Sequence, residues 1–319
     1  MRHILIINPN AGRKNSTTDL LAAAKGLRQR HGLDCACILT QRPGHALETC
    51  RSIAAACGAV RFYACGGDGT VNEVANAIAG LPNAAMTCVP TGTGNDFLKN
   101  FGPELAPRFL DIEQLWNGPT LPLDAIDCNG RLALTIACAG FDARVARDVH
   151  TFGNSRLLPG RSSYIASLSV NFLLRPLCQR WRLYLDGEEQ TEKEYVLVAA
   201  CNGRYYGGGF LPVPEARMDD GVLHTMIVTR TSRGEFLRFV GPYSSGDYHK
   251  APGIARVVTA QEVRIEGVDA DIVTCLDGEV MTSPSVRLRL SGKRVNFFGP
   301  AGCSPNATAR EPAEKPVGG

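Results

Sequence analysis

Short apolar runs alternate with segments of helical periodicity in the first third of the chain. The apolar runs predict strands at residues 4–7, 35–40, 61–64 and 86–89. Apolar positions repeating every three or four residues, such as Leu20, Ala24 and Leu27, predict helices at residues 17–31, 46–57 and 71–79. Strands that alternate with helices are typical of βαβ units and of a mainly parallel sheet.

The pattern changes near residue 121, after which short β-like runs dominate. These predicted strands are residues 132–137, 181–185, 195–200, 222–228, 263–265, 272–276 and 286–290. Asp-Gly pairs separate several of them, as in antiparallel hairpins, and two helical segments are predicted at 143–149 and 163–174. We therefore predict an α/β domain over residues 1–122, an antiparallel β domain over residues 123–300 and a flexible tail over residues 301–319.

The composition supports two folded domains and narrows the function only slightly. The 319 residues are 44% hydrophobic and 20% charged, which excludes global disorder. The 34 Lys and Arg residues exceed the 31 Asp and Glu residues by 34 − 31 = 3, too small a balance for a protein built mainly to bind nucleic acid. The charge-free stretch 74–95 is broken by Gly80, Pro82 and Pro90, so it does not predict a membrane span.

The twelve cysteines predict buried thiols in a reducing cytoplasm. They are dispersed without a C-x-x-C pair, and most stand among Ala, Val, Ile and Leu. This spacing fits neither a zinc site nor a disulfide-rich secreted scaffold, whereas cysteine packs readily as a small apolar residue. The apolar run at residues 4–7 is too short for the core of a signal peptide, which also favours a cytoplasmic location.

The strongest motif is a glycine-rich loop, GGDGTVNE at residues 66–73, between a predicted strand and a predicted helix. Adjacent glycines let several backbone N–H groups face one anion, and the helix N-terminus adds partial positive charge. Asp68 inside such a loop fits a phosphate site that also uses Mg²⁺, or a site in which the carboxylate orients a hydroxyl. The alternative interpretation is an ordinary helix-capping turn.

Two further loops stand at predicted strand ends. PTGTGND occupies residues 90–96, and NPNAG occupies residues 8–12 with Arg13 and Lys14 after it. Because the carboxyl ends of parallel strands meet at one edge of a sheet, we expect the three loops to face one nucleotide. The spacings exclude the P-loop and dinucleotide-binding fingerprints and the G-x-S-x-G elbow of hydrolases.

Taken in order, these motifs resemble those of the diacylglycerol kinase catalytic-domain superfamily, and within it the soluble bacterial lipid kinases. The resemblance continues through Asn-Gly at 202–203, three glycines at 207–209, Pro214 with Ala216, Asp-Gly at 220–221 and LDGE at 276–279, and so covers nearly the whole chain except the tail. It implies an α/β nucleotide-binding domain followed by an antiparallel β-sandwich. It also implies transfer of the ATP γ-phosphate to a lipid hydroxyl, with diacylglycerol or a related lipid as the expected acceptor.

The resemblance also implies roles for individual residues. The expected ATP contacts are Asn8, Pro9, Asn10, Ala11, Gly12, Thr40, Gly66, Gly67, Asp68, Gly69, Thr70, Val71, Asn72 and Thr93. Asp277 is the expected catalytic base, with Glu279 as second choice and Asp68 as a further catalytic carboxylate. A hydroxyl is a poor nucleophile, so a carboxylate that accepts its proton suits phosphoryl transfer. The alternative for Asp277-Gly278 is an ordinary β-turn.

A Mg²⁺ loop is also implied by resemblance, at residues 216–222. Asp220 would supply the carboxylate, and Arg217 and Val222 would supply main-chain carbonyl oxygens, the ligands that a hard cation prefers. The sequence departs from many relatives at His224, where they carry Asp. Asp219 beside Asp220 leaves the register of the loop open.

The stretch from residue 149 to residue 185 is basic and contains no acid. It contains Arg156, Arg161, Arg175, Arg180 and Arg182, interleaved with Leu, Phe, Tyr and Trp181. Arginine attracts anionic headgroups while Trp and Leu enter the bilayer surface, so we expect peripheral contact with the inner membrane face. The alternative is a core helix with a solvated basic edge.

Two other functions remain open at this point. An NAD kinase shares GGDGT but phosphorylates a soluble nucleotide, and the ND pair at 95–96 and the DGE motif at 277–279 disfavour it. A non-catalytic lipid-binding protein of the same fold is disfavoured by the intact Asp68, Asp220 and Asp277. The sequence leaves open whether the protein is a homodimer.

Overall fold

The computed structural model describes residues 1–12, 15–92, 94–102, 104–153, 167 and 169–305. Its first part alternates strands and helices as predicted, with ends shifted by no more than three residues. The elements are β1 (Arg2–Ile7), α1 (Thr17–His31), β2 (Asp34–Leu39), α2 (His45–Ala56), β3 (Val60–Gly66), α3 (Asp68–Ile78), β4 (Ala84–Pro90), the single turn α4 (Asp96–Lys99) and β5 (Thr120–Leu123). Two 3₁₀ turns, Ala106–Leu110 and Ile112–Gln114, connect α4 to β5.

Four of these strands form a parallel sheet in the order β2-β1-β3-β4. Ile4 of β1 pairs with Ala36 on one side and with Phe62 on the other, so the chain changes direction across the sheet at β1. The loops that follow β1, β3 and β4 therefore lie at the same carboxyl edge. In open α/β sheets, this point of reversal is where ligands bind.

The second part contains an antiparallel sheet with helices on its outer face. Its elements are β6 (Ile126–Cys128), β7 (Arg131–Ala133), β8 (Ile136–Gly140), α5 (Phe141–Gly153), β9 (Gln179–Leu185), β10 (Glu188–Glu189), β11 (Glu194–Cys201), β12 (Leu223–Thr229), α6 (Arg233–Ser245), β13 (Ala255–Ala260), β14 (Glu262–Gly267), β15 (Ile272–Leu276), β16 (Glu279–Ser283) and β17 (Ser285–Leu290). A π-helical turn, Val170–Leu174, precedes β9, and a 3₁₀ turn, Tyr248–Lys250, follows α6.

The antiparallel sheet curls over a core of its own, which confirms the predicted β-sandwich. Trp181 and Leu183 of β9 pack inside it with Val198 of β11. The other face of the sheet is covered by α5 and α6, whose Phe141 and Phe236 rings meet at 5.0 Å. Because both faces of β11 are covered, the strand is an almost unbroken apolar run rather than an alternating one.

The prediction lacked strands β5, β6, β10, β13 and β16, and it differs from the structure in two further elements. The predicted strand 132–137 is two strands, since the backbone turns at Leu134 and Thr135. Helix α6 was not predicted because Gly241-Pro242 interrupts its pattern, yet the helix begins at a capping box made by Ser232 and Glu235. Of the predicted helix 163–174, residues 167 and 169–174 are helical, the last five as the π-helical turn Val170–Leu174, and the other five residues lie outside the described residues, as does the tail after residue 305.

The last strand within the described ranges returns to the first sheet. This strand, β18 (Val295–Phe298), lies between β4 and β5, parallel to the first and antiparallel to the second. Phe297 stacks on Phe101 at 4.8 Å and meets the edge of Phe97 at 5.2 Å. Among the residues that the structure describes, the amino-terminal sheet therefore has six strands, and one of them, β18, follows the strands of the sandwich along the chain.

All twelve cysteines are free, and nine of them are buried. Within the described ranges, no helix is long and apolar enough to cross a membrane.

Candidate active site

The three glycine loops meet at the carboxyl edge of the parallel sheet. The amides of Thr91 and Gly92 donate to the carbonyl oxygen of Gly66, at 3.2 and 3.1 Å. Gly12 has φ +73° and lies so close to Thr91 that a Cβ atom would overlap the Thr91 carbonyl oxygen. Asn8 Nδ2 lies 3.5 Å from Thr70 Oγ1, which joins the first loop to the second. The loops therefore form one continuous surface of backbone.

The structure places the sequence-predicted nucleotide contacts along this surface. Residues 8–12 follow β1, residues 66–72 span the end of β3 and the start of α3, and Thr40 follows β2 with its amide 2.8 Å from the Ile7 carbonyl oxygen. Thr93 lies outside the described residues. Within the described part, these loops contain three buried oxygens without a hydrogen-bond partner: Asp68 Oδ1, Thr91 Oγ1 and Asn95 Oδ1. Since buried polar atoms are normally paired, these atoms fit a surface that a polar ligand completes.

Asp68 is the first residue of α3 and lines the floor of the site. Burial raises the pKa of its carboxyl to about 6, helped by the neighbouring Asp96 and Asp277 and opposed by the backbone amides of Asp96 and Phe97. A carboxylate with a free oxygen and a pKa near neutrality is suited to accept a proton.

Asp277 occupies the turn between β15 and β16, with φ +48°. Its Oδ2 accepts hydrogen bonds from Leu134 N at 2.5 Å and Asn72 Nδ2 at 3.3 Å, and its Oδ1 accepts from Thr135 N and Ile136 N, both at 3.0 Å. Burial raises the pKa of Asp277, and these donors oppose the rise. A carboxylate offers about four acceptor positions, so the protein already occupies those of Asp277.

A polar seam next to Asp277 joins the two domains. Asn72 and Asn76, one turn apart on α3, both donate to the carbonyl oxygen of Leu132, at 3.0 and 2.9 Å. The Leu132 amide donates back to Asn76 Oδ1 at 2.9 Å. The face of α3 that carries Asp68 is therefore fixed against the β7–β8 region of the sandwich.

Asp96 makes a second link between the domains. Its Oδ1 accepts from Lys99 Nζ at 2.5 Å and its Oδ2 accepts from the amide of Gly208 at 2.6 Å. Gly208 lies in the triple-glycine loop that follows β11 and has φ +90°. The loop after β4 is thus tied to a loop of the sandwich.

A cavity of about 360 Å³ lies between the domains at this point. Asp68, Asn72, Asp96 and Asp277 line it together with apolar residues of the sandwich and of α5. The apolar lining includes Phe97, Ile136, Phe141, Val145, Val149 and Phe210. An apolar chamber that contains a few carboxylates suits a ligand with a long apolar part and a polar reacting group.

Glu279 lies outside this chamber. It is exposed at the start of β16, and its Oε1 is 3.9 Å from where a Cβ atom on Gly69 would stand. The side chain therefore borders the second glycine loop from the solvent side.

The predicted Mg²⁺ loop is already hydrogen-bonded by protein donors. Asp220 Oδ1 accepts from Val222 N at 3.1 Å, its Oδ2 lies 3.2 Å from His224 Nε2, and Arg217 pairs with Asp219 at 3.6 Å. Across the residues that the structure describes, no group of three or more His, Cys, Asp or Glu side chains is placed to hold a metal ion. His224 thus already contacts one oxygen of the carboxylate that the sequence assigns to the cation.

The basic stretch is partly neutralised. Arg175 pairs with Asp148 at 2.6 Å and Arg180 pairs with Asp269 at 3.3 Å. Trp181 is buried in the sandwich core, so it is not available to a bilayer. Arg156 and Arg161 lie outside the described residues.

Sequence reasoning missed several residues of the site. Asp96 was given no role in the sequence analysis beyond its place in the PTGTGND motif, although an acidic residue directly after a glycine loop can indicate a site residue. Asn76 repeats the position of Asn72 one turn later on α3, which is also visible in the sequence. No sequence pattern pointed to the cluster of Asp142, Tyr206 and Tyr243, because these residues come from distant segments that meet only in the folded protein.

Comparison with known proteins identifies the family to which the chain belongs. Residues 2–128 match the diacylglycerol kinase catalytic domain, and residues 135–299 match the YegS C-terminal NAD kinase beta sandwich-like domain. The chain therefore belongs to the lipid kinase family that combines these two domains.

Relatives of known name agree with this assignment. A "Probable lipid kinase YegS-like" of Xanthomonas oryzae pv. oryzae is 30% identical over 311 residues, which cover 94% of this chain and 96% of the relative. One of the same name from Pseudomonas aeruginosa is 29% identical over 91% of this chain and 92% of the relative. A diacylglycerol kinase of Mycobacterium tuberculosis is 32% identical over 69% of this chain and 73% of the relative. The fold matches the crystal structure of a Bacillus anthracis diacylglycerol kinase with a TM-score of 0.68, at 21% identity, over 95% of this chain and 98% of that chain.

Proposed function

We propose that this protein is an ATP-dependent lipid kinase that phosphorylates a hydroxyl of diacylglycerol or a related lipid. The observation that carries the proposal is one cavity lined both by Asp68 and Gly94 of the glycine loops and by the apolar wall of the sandwich. The loops present backbone N–H groups to a triphosphate. The apolar wall suits acyl chains better than a polar dinucleotide, which disfavours the NAD kinase alternative.

The chemistry requires that the lipid hydroxyl lose its proton as its oxygen attacks the γ-phosphorus. In our proposal Asp68 accepts that proton, because its Oδ1 has no partner within the described residues and its pKa of about 6 lies near neutrality. The bond between the γ-phosphorus and the β–γ bridging oxygen breaks, ADP leaves and Asp68 returns its proton to solvent. Mg²⁺ enters with ATP as part of the substrate and neutralises phosphate charge.

Asp277 has a different role in this proposal. Its four hydrogen bonds hold residues 134–136 of the sandwich against Asn72 of α3, so it positions the walls of the cavity. The sequence-based assignment of Asp277 as base stays a competing prediction, with Glu279 as its second choice.

The test is a transfer assay with labelled ATP and diacylglycerol, a long-chain amino alcohol or NAD as acceptor. We expect label on a lipid, and a loss of about a hundredfold or more in kcat for Asp68→Asn, with exposed Asp111→Asn as the matched control. Label on NAD alone would support the NAD kinase alternative, and label on no acceptor would support a lipid-binding protein. Full activity in Asp68→Asn would contradict its role as base.

We also propose that the enzyme meets its substrate at an anionic membrane through a leucine patch, defined as Leu173, Leu174 and Leu237. These residues are 63%, 78% and 63% exposed. Arg233 donates to the carbonyl oxygens of Phe172 and Arg175, at 2.8 and 3.0 Å, which fixes the start of α6 beside the π-helical turn. Its charge thus stands next to exposed leucines, as in surfaces that insert into anionic bilayers.

Sedimentation with vesicles containing phosphatidylglycerol tests the leucine patch. The double variant Leu173→Glu, Leu174→Glu should bind at least tenfold more weakly than the wild type. Leu110→Glu, which changes a leucine of 56% exposure in the other domain, serves as the control. Equal binding by the double variant and the control would contradict the proposal.

A further inference from the structure

A second polar cluster lines the cavity and has no part in the proposed chemistry. Asp142, the second residue of α5, accepts hydrogen bonds on Oδ2 from the hydroxyls of Tyr206 and Tyr243, the latter at 2.7 Å. Asp142 and Tyr206 both line the chamber, while Tyr243 is buried behind them. The cluster therefore presents a carboxylate to an otherwise apolar wall.

This carboxylate is incompletely satisfied. Within the part of the chain that the structure describes, no arginine, lysine or histidine pairs with Asp142, and both hydrogen bonds go to the same oxygen. Burial raises the pKa of Asp142, and the two phenol hydroxyls oppose that rise. A half-buried carboxylate without a cation on an apolar wall is costly, and its remaining oxygen has the acceptor capacity for another donor.

Strand β8 separates Asp142 from the part of the cavity beside Asp68 and Asp277, and its length gives the distance between the two. Strand β8 begins at Ile136, whose amide holds Asp277, and ends at Gly140, immediately before α5. Four residues of strand span about 13 Å. A ligand hydroxyl beside Asp68 and Asp277 would therefore be separated from Asp142 by roughly ten carbon atoms of an extended chain.

We infer that Asp142, with Tyr206 and Tyr243, forms a subsite for a hydroxyl group carried on the chain of the acceptor lipid, roughly ten atoms from the hydroxyl that is phosphorylated. The substrate class is then a hydroxylated long-chain lipid rather than one with purely apolar chains. The inference rests on the proposed function only in placing a lipid chain in this cavity.

The same cluster is connected to the nucleotide side of the site. Tyr206 begins the triple-glycine loop, pairing with Phe210 across it, and Gly208 of that loop donates to Asp96. A hydroxyl bound by Asp142 would thus help to hold the loop that contacts the region after β4. We therefore expect the enzyme to distinguish acceptors with this hydroxyl from acceptors without it in binding as well as in turnover.

The test compares 1,10-decanediol with 1-decanol, which differ by one terminal hydroxyl. Calorimetric titration of the nucleotide-free full chain should show the diol binding about tenfold more tightly, since hydrogen bonds to charged groups are strong. In Asp142→Asn the ratio of the two dissociation constants should fall towards one, and Tyr243→Phe should reduce it by less. Asp111→Asn should keep the wild-type ratio.

Equal binding of the two alcohols by the wild type would overturn the inference, as would an unchanged ratio in Asp142→Asn. Thermal melting of each variant shows whether it is folded, and Tyr243→Phe provides a second reading if Asp142→Asn unfolds. Adding labelled ATP separates the two proposals. Preferential diol binding without phosphate transfer to any lipid would contradict the kinase function while leaving the subsite intact.

Discussion

Replacement of Asp277 by Asn tests the positioning role of this carboxylate. The substitution keeps the shape of the side chain and the positive φ, which Asn tolerates, but it turns one acceptor oxygen into an NH₂ donor. In either orientation that donor faces two N–H groups: those of Thr135 and Ile136, or those of Leu134 and the Asn72 side chain. Each buried N–H left without an acceptor costs about 1–3 kcal/mol, so unfolding should become easier by about 2–6 kcal/mol.

The measurement is urea-induced unfolding followed by tryptophan fluorescence. The chain has two tryptophans, Trp116 in the first domain and Trp181 in the sandwich, so both domains contribute to the signal. Asp186→Asn is the matched control, because Asp186 also begins an Asp-Gly turn with positive φ and accepts two amides at 2.8 Å. Asp186 is exposed and accepts both amides on one oxygen, so its amide can keep them, and its change should cost less than about 1 kcal/mol. Equal losses in the two variants would refute the argument.

Three further predictions concern the glycine loops and the first sheet. Folding raises the pKa of Asp68 from 3.8 to about 6, so the folded state loses stability as the pH rises between these two values. In urea unfolding, Asp68→Asn should therefore be more stable than the wild type by up to ~3 kcal/mol above pH 6, but not near pH 4. An equal gain at both pH values would contradict this prediction. Gly12→Ala should weaken ATP binding at least tenfold in equilibrium dialysis, because its methyl group meets Thr91, whereas Gly32→Ala, with positive φ and open space, should not. Phe297→Ala should cost about 3–5 kcal/mol of unfolding free energy, since the ring is fully buried, and a loss below 1 kcal/mol would show that β18 does not close the sheet.

Much of the fold was predictable because its signals are local. The alternation of strands and helices was enough to predict the parallel sheet. Such a sheet brings the ends of its strands to one edge, which is where residues 8–12, 66–72 and Thr40 lie. By contrast, β18 has only four residues and joins strands that precede it by about two hundred positions. No local pattern distinguishes such a strand from the neighbouring strands of the sandwich.

The roles of the carboxylates were less accessible to sequence reasoning. Main-chain amides about 140 residues earlier in the chain fill acceptor positions of Asp277. These amides lie at a turn, whereas the sequence predicted one continuous strand over residues 132–137. The free oxygen of Asp68 depends on how two loops pack. The partners of Asp142 lie 64 and 101 residues away, so only the folded structure reveals that two phenols share one of its oxygens.

The return of the last strand to the first sheet has a consequence for synthesis. The slot between β4 and β5 stays empty until residues 295–298 have been synthesised, so up to that point β4 and β5 each expose an unpaired edge. Such edges pair readily with other chains. The finished protein has two covalent crossings between its lobes, at residues 124–125 and 291–294. Two crossings rather than one restrict how far one lobe can rotate against the other.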